Sequence, residues 1–310
     1  MKNPIKNRSN VIRNYQLNST IIPLFIIFVL VSFNALSSDG DDLVSLNEEA
    51  VAMLDNEDYE AGLELVEVIL EKDPDNNAAL VNKGFALNQL ERFEETIEVM
   101  EKSIKIQPND AFEYIILGDA HLWLEEYVEA MISYKQAIQY EITHETADAY
   151  YGLGLTTFMQ EFYEPSIENF NKYLDYYPND PAALWYVAIA HERNGDIQSA
   201  IMTLDDLIQS DQTDIEAMAY KGELLLEKQA YQSAIEAFED IIDLYPETPH
   251  GYYGKAQVLS VQNKTAEALT NLRYSFFYGP EYSKYAFSDP LFESIEASKG
   301  FRELVAEYTE

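Results

Sequence analysis

The sequence predicts an all-α chain built as an α-solenoid: about seven helix–turn–helix repeats in series, closed by a C-terminal helical cap. Three observations carry this. Prolines recur at 74, 108, 178, 246 and 280, and a 34-residue period accounts for every gap if one repeat holds two extra residues. Periods of this length mark stacked helical hairpins. With each proline at position 32 of its unit, position 8 is Ala50, Gly84, Gly118, Gly154, Ala188, Gly222 and Ala256, and position 20 is Gly62, Thr96, Ala130, Ser166, Ala200, Ala234 and Ala268. Every one is small. Position 24 is Val66, Met100, Tyr134, Phe170, Leu204, Phe238 and Leu272, every one large and apolar. Two helices of a hairpin cross about 8–10 Å apart, so a small residue at the crossing lets them touch while a large one fills the space beside it.

Residues 1–37 read as a signal peptide or signal anchor. A basic stretch with Lys2, Lys6, Arg8 and Arg13 precedes the run Ile21 to Phe33, which is apolar except for Pro23 and Ser32. Ala35 and Ser37 then supply small residues at the spacing of a cleavage site. The run is short of the roughly 20 residues a membrane span needs, which favours cleavage; extended back to residue 17, the segment 17–33 is the alternative anchor. Either reading places the bulk of the protein outside the cytoplasm: periplasm, cell envelope or extracellular space. Residues 38–42 read as a flexible acidic tether.

The repeats then occupy 43–76, 77–110, 111–146, 147–180, 181–214, 215–248 and 249–282. Residues 283–310 break the pattern. Ser288 or Asp289 is a candidate N-cap with Pro290 in the first turn. Phe292 and Ile295 form one apolar stripe, and Phe301, Leu304, Val305 and Tyr308 another. A solenoid needs its last face covered, and these stripes suit that task.

The unit "AALVNKGFALNQLERFEETIEVMEKSIKIQPND", with Leu80, Gly84, Leu87, Phe93 and Pro108, resembles the tetratricopeptide repeat family. The resemblance extends from Leu43 to about Tyr282. Ile142 and Gln212 stand where proline is expected, and Thr143 to Thr146 holds the two-residue insertion. The resemblance implies a right-handed superhelix that binds extended or helical peptides on its concave surface, lined by positions 2, 5, 6, 9, 12 and 13 of each first helix. It also implies a test of one specialised mode, a clamp for paired carboxylates. That clamp needs Lys and Asn at positions 5 and 9 of one repeat, where repeat one has Asn47 and Val51, so the mode is excluded.

Mapped onto this chain, the implied groove is apolar and aromatic in its middle. Phe85, Phe112, Ile115, Ile116, Trp123, Tyr151, Leu155, Phe158, Trp185, Tyr186, Ile189 and Tyr220 are its candidate partner-binding residues, with Glu223 and Glu227 at an acidic C-terminal end. Helix A of repeat three, "FEYIILGDAHLWL", shows why: it is apolar nearly all round because one face serves the hairpin and the other the groove. The expected ligand is a protein or peptide segment with apolar anchors and basic flanks.

Composition supports a protein ligand over a nucleic acid. The formal net charge is −35, which repels phosphate backbones. No cysteine is present, so thiolate nucleophiles and Cys-ligated metals are excluded. His121 and His191 both fall at position 11, on the packing face. No Ser/His/Asp or HExxH spacing occurs, and "DGDD" at 39–42 is too short for a calcium loop. The expectation is a non-enzymatic scaffold or adaptor with no cofactor and no metal. The alternatives are an architectural solenoid that self-associates through its uncapped first repeat and, more remotely, a cation-dependent or enzymatic role.

Overall fold

The computed structural model of the chain describes residues 38–140, 143 and 146–309. Among them are seventeen α-helices and no strand. The first fourteen are α1 (Ser38–Asp55), α2 (Tyr59–Lys72), α3 (Asn77–Gln89), α4 (Phe93–Ile106), α5 (Ala111–Trp123), α6 (Tyr127–Tyr140), α7 (Asp148–Met159), α8 (Tyr163–Leu174), α9 (Pro181–Arg193), α10 (Ile197–Ser210), α11 (Ile215–Glu227), α12 (Tyr231–Leu244), α13 (Pro249–Val261) and α14 (Thr265–Tyr278). They form seven antiparallel hairpins, α1/α2 to α13/α14. The signal segment 1–37 lies outside the described residues. Residues 38–42 are the start of helix α1 and not a tether. The helices form two compact units that divide after Pro178, with α1–α8 in the first and α9–α17 in the second.

Each hairpin is closed the way the repeat frame requires. A Cβ on Gly118 would lie 2.6 Å from the Tyr134 ring, one on Gly154 2.9 Å from Phe170, and one on Gly222 2.7 Å from Phe238. Position 8 thus lies directly under position 24 of its own repeat. The same large side chain also reaches the next first helix, since Tyr134 lies against Gly152 and Phe238 against Gly254. Position 24 is a wedge shared by two repeats.

Caps recur with the same period. Asn76, Asp110, Asp180 and Asp214, all at position 34, accept backbone N–H bonds at the start of the next first helix, at 3.1, 2.9, 2.7 and 2.9 Å. A side-chain oxygen there satisfies a donor the helix leaves open. Position 15, after each first helix, has positive φ in all seven repeats: Glu57, Glu91, Glu125, Glu161, Gln229 and Asn263 near 60°, and Gly195 at 85°. The N–H of position 16 then bonds the carbonyl of position 11, as in Arg92 to Leu87 (2.9 Å) and Asp196 to His191 (2.8 Å). This 6→1 bond is the Schellman closure, usually made with glycine.

After α14 the chain forms α15 (Tyr282–Ala286), a 3₁₀ turn (Pro290–Phe292), α16 (Glu293–Glu296) and α17 (Lys299–Thr309). Phe292, Ile295, Phe301, Leu304 and Val305 are buried with Tyr253, Leu272 and Phe276 of the last hairpin. Asp289 is the N-cap of the 3₁₀ turn, accepting from the Leu291 N–H at 3.0 Å. Its other oxygen accepts from Tyr253 Oη at 3.1 Å and Gln257 Nε2 at 2.7 Å. Tyr253 and Gln257 hold positions 5 and 9, so this segment covers the face of α13 that a further first helix would cover.

Candidate functional site

Within each unit, positions 5 and 6 of the first helices are where neighbours meet. Asn82 Nδ2 (position 6) donates to Asn47 Oδ1 (position 5) at 3.0 Å. The Trp185 and Tyr220 rings, at positions 5 and 6, lie 5.5 Å apart. Side chains at these positions are therefore enclosed by the adjacent helix. Ile115, Ile116, Tyr151, Trp185, Tyr186, Ile189 and Tyr220 are all buried, none more than 6% exposed. These seven of the expected groove residues are core. Tyr151, for instance, packs edge-on to Phe170 and Tyr173, with centroids 5.3 and 5.0 Å away.

What stays open lies at positions 2, 9, 12 and 13, and in the two units it differs in kind. In the first unit Phe85, Phe112, Leu155 and Phe158 are half-buried and Trp123 is exposed at 47%. Their rings join those at position 17, the start of each second helix. Phe85 sits 6.1 Å from Tyr59 and 6.4 Å from Phe112. Trp123 stacks on Phe93 at 6.0 Å with planes 8° apart, and Phe158 meets Tyr163 edge-on at 5.8 Å. Tyr59, Phe93 and Tyr163 belong to this aromatic border although the helix-A positions alone do not include them. Their recurrence at position 17, shared by Tyr127 at gaps of 34, 34 and 36 residues, was the available signal. In the second unit several of the corresponding residues are acidic: Glu223 is half-buried, Glu227 exposed, and Glu192 accepts from Tyr220 Oη at 2.7 Å.

Beneath the first unit's face lies a buried carboxyl. Asp119, at position 9 of repeat three, is 5% exposed and accepts from Tyr134 Oη at 2.6 Å. Burial pushes its pKa up to about 7, partly opposed by that hydrogen bond. Burial and the nearby Asp119 and Asp148 carboxyls raise the Tyr134 phenol. The geometry is that of a structural clasp holding the wedge residue in place. Glu113, also fully enclosed, accepts from Asn77 Nδ2 and Ser103 Oγ, both at 2.9 Å, and burial raises its pKa. His121 is half-buried and its Nδ1 lies 2.7 Å from Glu126 Oε2, a bonded place at the edge of the packing face. Among the described residues no group of three or more His, Asp or Glu could hold a metal ion, and no helix is long and apolar enough to cross a membrane.

Three comparisons place this architecture. The family model for the tetratricopeptide repeat matches residues 47–111, 151–215 and 220–274, more than half of the chain. Anaphase-promoting complex subunit 3 of Schizosaccharomyces pombe is 21% identical over 166 residues, which cover 54% of this chain; the match spans only 25% of that protein. Among solved structures, the C-terminal part of a repeat-containing protein from Cytophaga hutchinsonii superposes with a TM-score of 0.66 at 11% identity, covering 76% of this chain and 95% of that one. YrrB, described as a TPR protein with an unusual peptide-binding site, superposes at 0.52 and 17% identity, over 61% of this chain and 97% of its own. At such identities the likeness is one of fold, an α-solenoid of paired helices. Together with the family match it shows that the chain belongs to the tetratricopeptide repeat family, whose members are generally protein-interaction scaffolds.

Proposed function

We propose that the protein is a non-enzymatic adaptor acting outside the cytoplasm, and that it binds a partner segment on the aromatic border of its first unit. The observation that carries this is Trp123, nearly half exposed and already stacked on Phe93. A rigid, pre-positioned ring loses little freedom when a ligand packs on it, and tryptophan is enriched among residues that dominate binding energy. Residues 43–178 carry 29 acidic against 7 basic residues, which favours a ligand with basic flanks around its apolar anchors. The basic, apolar and small-residue succession of residues 1–37 supports export.

The test uses the full chain and two synthetic 15-residue peptides with identical Leu and Phe anchors, one flanked by Lys and the other by Glu. Fluorescence anisotropy should show binding of the Lys-flanked peptide, weakened at least tenfold by Trp123→Ala. Equal binding of both peptides, or no effect of Trp123→Ala, overturns the reading. N-terminal sequencing of the protein from its host tests export separately: a mature start near Ser38, or retention in the membrane fraction, supports it, and an intact cytosolic chain sinks it.

A further inference from the structure

The last repeat and its cap differ from the rest of the chain in charge. Residues 43–248 hold 44 acidic and 10 basic residues, whereas residues 249–310 hold 8 and 6. The contrast exists inside the second unit alone, where residues 179–248 carry 15 acidic and 3 basic. On this nearly neutral end lies a contiguous cluster of aromatic rings. Tyr252 stacks between Tyr274 and Tyr278, with centroids 5.2 and 5.8 Å away and planes 28° and 22° apart. Phe277 meets Tyr278 edge-on at 5.1 Å. Tyr274 is 50% exposed and Phe277 67%, the largest value among the exposed large apolar side chains. An exposed ring cluster of this kind marks an interaction surface.

We infer that this cluster is a self-association surface, on which the last repeats of two copies of the chain meet. Charge decides between occupants. A basic partner is drawn to the acidic repeats and not to this end. A partner as acidic as the chain itself is repelled everywhere except here. Residues 249–310 also carry both signs, 8 acidic and 6 basic. Such mixed charge is self-complementary across a two-fold axis, where residue i meets j and j meets i. Association at this end leaves the aromatic border of the first unit to its own ligand, so it does not depend on the peptide-binding proposal.

The absence of cysteine makes the test clean. Single-cysteine variants of the full chain, Lys284→Cys, exposed and six residues after Tyr278, and Glu48→Cys on the first helix, are treated with a short bismaleimide. The Lys284→Cys chain should crosslink to a dimer. Adding Phe277→Glu, on an exposed side chain whose loss leaves the core intact, should cut the yield at least tenfold. Raising salt from 50 to 500 mM should increase the yield, because it screens repulsion between the acidic repeats. A Lys284→Cys chain that stays monomeric, a yield indifferent to Phe277→Glu, a yield that falls with salt, or stronger crosslinking from Glu48→Cys would each overturn the proposal.

Discussion

The two units share one frame and use it differently. Each stacks hairpins through small residues at position 8 and wedges at position 24. Yet Trp123 in the first unit and Trp185 in the second, both on the same side of a first helix, end in opposite environments, 47% and 3% exposed. Trp185 holds position 5, where the next first helix closes over it and brings Tyr220 against its ring. Trp123 holds position 13, in the last turn, and leans on Phe93 at the border. Where a side chain lies along the helix decides its exposure as much as which way it faces.

The sharpest way to break this comparison is to remove both rings. Trp185→Ala should cost about 3–5 kcal/mol, as expected for a large aromatic in a packed core, and Trp123→Ala under about 1 kcal/mol. Urea denaturation measures both, and comparable losses would end the distinction.

The buried carboxyl gives the next largest effect, and only the first unit has one at position 9; the second has Ile189, Glu223 and Gln257 there. The Asp119 pKa is raised to about 7 from 3.8, so the folded state holds the proton more tightly than the unfolded one. Its contribution is present below about pH 4 and is lost as pH rises through 7. Linkage makes this a few kcal/mol across that window. Asp119→Asn should flatten the pH dependence of the melting temperature; an unchanged profile would count against the raised pKa.

Overpacking the hairpin crossing comes third. Gly118→Ala in the first unit and Gly222→Ala in the second each push a methyl into an aromatic wedge, for about 1–3 kcal/mol, read from thermal melts. Gly118→Ala should cost more, because Tyr134 is also held by Asp119 and cannot swing away. The smallest effect is at the turn. Glu91→Gly relieves a left-handed non-glycine residue and should gain about 0.5–1 kcal/mol, while Gly195→Glu should lose as much. Chemical denaturation resolves both signs.

The fold was legible because its determinants are local and repeated: proline at 32, small residues at 8 and 20, and a large one at 24 are visible in every unit or nearly so. The site was legible only to the level of a helix face. Periodicity assigns Trp185 and Tyr220 to the same side as Trp123, but it carries no information on how closely the next helix lies over that side. The left-handed turn at position 15 was hidden for a different reason. Only Gly195 and Asn263 have residue types that signal it, and the other five turns are held by the Schellman bond and by the packing on either side.

The shared wedge sets a rule for how such a chain can grow. Tyr134 needs a glycine across from it in the following hairpin, and finds Gly152; Phe238 finds Gly254. Repeats are therefore not interchangeable beads. Each of these two wedges meets one glycine in its own repeat and a second in the next, so the smallest segments that keep both contacts when copied are pairs, 111–180 and 215–282. A single hairpin inserted between the members of either pair would have to bring a glycine at its own position 6, or the wedge would strike a side chain.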